Sequence, residues 1–177
     1  MYVFGQTDVK EVTLVSAKDA FIINEYLMIE DVVNGNLPVE VIKTFALPHA
    51  TEKTIPKGCD LSHLDDLNID SNGKIYIAKG LVLKPLKVPI TPESKVRRAT
   101  FNEVEHILMH TTPDKGFTLG IIQGTEQIQE ELPTHLQNIA PGWKNGRAIP
   151  QEGVPFLMDF RKFREYPHIG IFGTSGS

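Results

Sequence analysis

The residues whose order most constrains chemistry are the last ten. His168-Ile169-Gly170-Ile171-Phe172 reads as a short apolar strand that runs directly into Gly173-Thr174-Ser175-Gly176-Ser177. A strand opening onto a glycine-rich turn is how a phosphate-binding loop begins, and the pattern G-x-x-x-x-G-K-[ST] needs Gly, Lys and Ser or Thr as the next three residues. In such a loop the backbone amides and the start of the following helix cradle phosphate oxygens, the lysine neutralises the terminal phosphates and the hydroxyl holds magnesium. Gly173, Thr174, Ser175, Gly176 and Ser177 are therefore the candidate ATP-binding residues. The loop is incomplete, so this chain is expected not to hydrolyse ATP. Gly- and Ser-rich ends also occur as flexible tails, and the apolar strand in front is what favours the loop.

Other constellations are weaker. Asp66-Leu67-Asn68-Ile69-Asp70 begins like a calcium loop, but Ser71 stands where glycine is needed and Ile77 where the bidentate glutamate belongs; it reads as a polar turn. His106 and His110 are four apart on an expected helix, yet Ile107 replaces the glutamate of a zincin and no third ligand is evident, so no metal is assigned. Histidines near a helix C-terminus are also favoured by its dipole. Cys59 is the sole cysteine, which excludes an internal disulfide, fits a reducing cytosol and reads as a buried thiol. No acid, base and nucleophile converge, so no catalytic residue is assigned and an autonomous enzyme in this region is disfavoured.

The elements that must position these residues are mostly strands. Alternation or β-branched content marks strands over 11–15, 21–29, 38–47, 74–86 and 117–122, separated by turns such as Asn34-Gly35-Asn36. The stretch Thr51 to Asp70 is polar and reads as a long excursion. Thr100-Phe101-Asn102-Glu103 has the form of a capping box and starts the best helix, with a shorter helical piece over 125–132. From Pro141 to Pro155, proline and glycine accumulate as in a linker, and the strands at 154–160 and 168–173 are assigned to whatever follows. Strands at short spacing with one or two interposed helices predict an all-β, small Greek-key-like barrel.

The balance of 18 basic against 22 acidic residues gives a net charge of −4, which argues against a main DNA-gripping surface. Lys95, Arg97 and Arg98, and later Arg161, Lys162 and Arg164, form two small basic groups. Both are read as solvated faces, with DNA contact or an intersubunit role as the alternative. No apolar run approaches the roughly 20 residues of a spanning helix, so no membrane role is expected.

The text Val154-Pro155-Phe156-Leu157-Met158-Asp159-Phe160-Arg161, continued by Tyr166-Pro167-His168 through Ser177, resembles the junction between barrel and motor in HerA-type hexameric DNA-translocating ATPases. The resemblance covers the last quarter of the chain. It implies a HAS-type β-barrel over 1–140, similar to the N-terminal barrel of rotary ATP synthase catalytic subunits, a connector over 141–167, and the first strand and incomplete phosphate loop of a RecA-like domain over 168–177. It further implies a cytoplasmic hexameric ring that uses ATP and magnesium to move duplex DNA in end processing or repair. The barrel would then assemble the ring and dock a nuclease of the NurA type or another effector, and this fragment alone would need no cofactor. On this view Trp143 anchors barrel to motor rather than stacking on a base. The alternatives are an OB-like barrel that binds nucleic acid and the docking domain of a related ATPase in anti-phage defence.

Overall fold

The structure is a computed structural model describing residues 1–47 and 75–159. Six strands close a barrel in the order β1-β2-β5-β4-β3-β6, with all neighbours antiparallel. They are β1 (Tyr2–Val3), β2 (Glu11–Ser16), β3 (Tyr26–Asp31), β4 (Gly35–Leu47), β5 (Ile75–Val82) and β6 (Lys95–Arg98). Strands β3, β4 and β5 follow one another as neighbours, and β6 returns to lie beside β3, which is Greek-key connectivity. The all-β barrel expected from the sequence is therefore present.

Alternation drives the barrel. In β3, Leu27 and Ile29 point inward with no exposed surface and pack with Leu37, Val39 and Val41 of β4. Fully burying each such side chain contributes about 1.5–3 kcal/mol. The interior is narrow, and Gly80 of β5 shows how narrow: a Cβ there would collide with Val39 Cγ1 and crowd Val12 Cγ1 at 3.3 Å. The length of β4 lets it pair with β3 through Gly35–Glu40 and with β5 through Val39–Leu47, and a bulge at Ile42 absorbs the change of direction.

A second layer packs on the outside of β3 and β6. It contains α1 (Phe101–Leu108), β7 (Gly116–Ile121), two 3-10 segments (Glu126–Glu131 and Thr134–Leu136), the small hairpin β8 (Trp143–Lys144) with β9 (Arg147–Ala148), and β10 (Pro155–Asp159). Its core joins Phe101, Val104 and Leu108 of α1 to Ile128, Leu136, Val154 and Leu157, and it takes Met28 from β3. Strand β3 thus feeds Leu27 and Ile29 to one core and Met28 to the other.

Several elements differ from the sequence expectations. Strand β3 starts at Tyr26, because 17–25 is a loop whose Ile22 and Ile23 are exposed. Strands β1 and β6 are too short for periodicity to show. The strand at 155–159 does not wait for a following unit: β10 pairs with β7 from Pro155↔Ile121 to Asp159↔Gly116. Pro- and Gly-rich composition marks the excursion before it but is blind to that nonlocal pairing. The candidates Cys59, the Asp66–Asp70 turn, Arg161, Lys162, Arg164 and Gly173 to Ser177 lie outside the described residues.

Candidate functional site

The basic group before α1 is the first sequence-selected cluster within the described residues. Its three positions belong to β6, so they alternate across a barrel wall instead of lining a helix approach. Arg97 points toward the outer layer and is clamped: its Nε donates to Glu30 Oε1 at 2.9 Å, and Nη1 and Nη2 donate to the two Glu103 oxygens at 2.8 and 2.6 Å. A guanidinium fork suits this double engagement, which ties β3, β6 and α1 together. The hydrogen bonds from Arg97 hold the Glu103 carboxyl down at about 2. Glu103 also accepts the Thr100 amide at 2.9 Å, the carboxylate half of the capping box read from the sequence. Arg98 Nε stands 4.0 Å from Glu25 Oε2. The charge of Arg97 is thus spent inside the fold and is not offered to phosphates.

The opposite end of β3 carries a feature the sequence reading missed. Asp31 closes the β3–β4 hairpin and is 4% exposed. Its Oδ1 accepts the amides of Val33 at 3.0 Å and Asn34 at 2.6 Å and the Asn34 side-chain amide at 2.9 Å. Its Oδ2 accepts the Thr91 amide at 2.6 Å and the Ser94 hydroxyl at 3.2 Å. Burial works to raise this carboxyl, but the donors from Asn34 and Thr91 outweigh it and hold the group well below the usual carboxylate range. The signal was available as an Asp three residues before Asn-Gly, the pattern of a side chain that caps its own turn.

The consequence is a hydrogen-bonded tip. Val32 is 86% and Val33 68% exposed, and Val88 on the neighbouring loop is 43% exposed. Asn34 Nδ2 reaches the Pro89 carbonyl at 3.5 Å, which brings that loop to the hairpin. The buried carboxylate holds the backbone of the turn that carries these exposed apolar side chains.

Of the remaining candidates within the described residues, His106 and His110 share a cleft. Helix α1 ends at Leu108 with Met109 as an extended C-cap, so His110 lies beyond the helix, yet it lines the same open cleft as His106, with Glu105, Thr111 and Lys115. Among the described residues no group of three His, Cys, Asp or Glu side chains is placed to hold a metal. Trp143 is 74% exposed on β8, where it pairs with Ala148. No helix among them is long and apolar enough to cross a membrane.

Neither protein-family models nor curated proteins match this chain. The site therefore stands on its own geometry: a closed barrel that carries the exposed apolar Val32–Val33 tip.

Proposed function

We propose that the chain is the N-terminal assembly and partner-docking barrel of a hexameric ATP-driven DNA translocase of the HerA type, acting in DNA-end processing or repair. The observation that carries this reading is the sequence His168 to Ser177, an apolar run followed by a Gly- and Ser-rich one, downstream of the barrel. In this scheme ATP and magnesium belong to the motor, with Gly173, Thr174, Ser175, Gly176 and Ser177 as the opening of its phosphate loop. Those residues lie outside the described ones, and no catalytic step is derived from them. The barrel supplies contacts to neighbouring subunits and to a nuclease of the NurA type or another effector. The cytoplasm is the compartment this scheme requires.

Two properties of the barrel support docking over DNA binding. The chain carries a net charge of −4, and Arg97, in its central basic group, is engaged by Glu30 and Glu103. Neutralising phosphates needs cations that are available to them. The exposed Val32 and Val33 give a protein partner an apolar anchor instead. The OB-like reading would instead require a basic groove with stacking aromatics.

The test is a nuclease pull-down and a duplex-DNA mobility shift run side by side on this chain at about 0.15 M salt. Capture of the nuclease without a DNA shift is the expected result. A DNA shift without capture would replace this reading with the nucleic-acid-binding one.

A further inference from the structure

Between the barrel and the outer layer lies a cleft of about 90 Å³, bounded by Glu25, Tyr26, Arg98, Gly124, Gln127 and Glu131. The two layers approach closely here. Gly124 has φ +81°, and its backbone lies so close to the Asn24 carbonyl and the Glu25 amide that no Cβ could be accommodated. Glu25 is 4% exposed. Its Oε1 accepts the Ile22 amide at 2.8 Å. Its Oε2 is 4.0 Å from Arg98 Nε, too far for a hydrogen bond.

The charges facing Glu25 are unevenly matched. From its own loop Asp19 acts on it unfavourably, and from β6 Arg98 acts favourably. Tyr26 from β3 stands beside it, itself influenced by Glu40 of β4. From the 3-10 segment Glu131 also lines the cleft, with one oxygen accepting the Phe101 amide at 2.7 Å. Glu126 accepts the Gly124 amide at 3.3 Å. One half-exposed guanidinium therefore shares the cleft with two carboxylates, Glu25 and Glu131, and a buried carboxylate charge without full compensation is costly.

We propose that Glu25 is a proton-operated latch on the joint between the barrel and its outer layer, closed when its carboxyl is protonated and loosened when it is ionised. Ionised Glu25 gains hydration if the Gly124 turn lifts away from Asn24 and Glu25, whereas the protonated group has no charge to hydrate. Burial pushes the carboxyl above its ordinary value, with the Ile22 amide and Arg98 opposing and Asp19 adding to the rise. The closed joint thus binds the proton more tightly than the open one. Its extra closure is complete below the ordinary carboxylate value and is lost as pH rises through the closed-state value. The inference stands apart from the docking role and survives if that role fails.

Amide hydrogen exchange on the whole chain from about pH 4 to about pH 8, corrected for intrinsic rates, reads the latch directly. Protection of 122–131 is expected to fall severalfold as pH rises, while β2 stays unchanged. Glu25→Gln keeps an acceptor for the Ile22 amide and removes the charge, so its protection should be high and independent of pH. Arg98→Met removes the facing cation and should move the midpoint to higher pH. A Glu25→Gln profile that keeps the native pH dependence, or an Arg98→Met midpoint that does not move, overturns the proposal. If Glu25→Gln does not fold, the native and Arg98→Met profiles decide it.

Discussion

Asp31 Oδ2 accepts the Thr91 backbone amide at 2.6 Å, joining two positions 60 residues apart. The contact staples the β3–β4 hairpin to the loop that leads into β6, and β6 is the stave that closes the barrel against β1 and β3. Asp31→Ala leaves several donors facing a buried space and is expected to cost about 2–4 kcal/mol. Asp31→Asn keeps one acceptor oxygen and should lose less. Urea unfolding of both variants checks the order, and an alanine variant as stable as the asparagine one contradicts the staple.

Gly80 predicts a second stability effect with a different cause. Its missing side chain is the space that Val39 and Val12 occupy inside the barrel. Gly80→Ala overpacks that space and is expected to destabilise by about 1–3 kcal/mol, despite alanine's lower conformational entropy in the unfolded chain. Pairing it with Val39→Ala should restore part of the loss, measured as a double-mutant cycle in denaturant.

How much of this could be read in the sequence depends on locality. Glu103 reaching back to Thr100 is a contact within four residues, and the capping pattern exposed it together with the helix it starts. The strand over 38–47 showed itself through Val39, Val41, Ile42 and Phe45, and of these Val39 and Val41 are the ones that face the barrel core. Residues 95–98 carry three cations and one valine, so composition suggested a solvated face, whereas Val96 pairs with Ile29 in the barrel wall. Glu25 and Gly124 are unremarkable in sequence, and only their juxtaposition across the two layers gives them meaning. The phosphate-loop candidates at 173–177 rest on local spacing alone.

Glu103 sets an acid limit on the clamp. Its folded-state value of about 2 lies below the ordinary value of 4.5. Its contribution is therefore fully present above 4.5 and is lost as pH falls through about 2. Stability measured from about pH 5 down to about pH 2 should fall less steeply in Glu103→Gln than in the native chain. Arg97 and Glu103 are partly exposed, so added salt should narrow the difference. Equal slopes in the two proteins would mean that the clamp carries no acid sensitivity.

The docking reading places its energy at the hairpin tip. Val32→Asp combined with Val33→Asp changes two exposed side chains and should leave unfolding within about 0.5 kcal/mol of the native value. Partner capture should drop by at least about tenfold if the valines fill a desolvated pocket. Undiminished capture by the doubly substituted chain moves the docking surface elsewhere on the barrel.

The pairing of β10 with β7 joins the two ends of a long excursion whose tip, Trp143 to Pro150, is exposed throughout. A protease reaching the turn at Asn145 and Gly146 would cut a peptide bond there without severing the fold. Leu157 and Val154 stay in the core with Phe101, and the Gln151 side chain still donates to the Leu136 carbonyl at 2.8 Å. The nicked protein should therefore run as one species on a sizing column and as two bands after denaturation. The same tip should accept an inserted tag or a new pair of chain ends, which makes it the place to split this chain into complementing fragments.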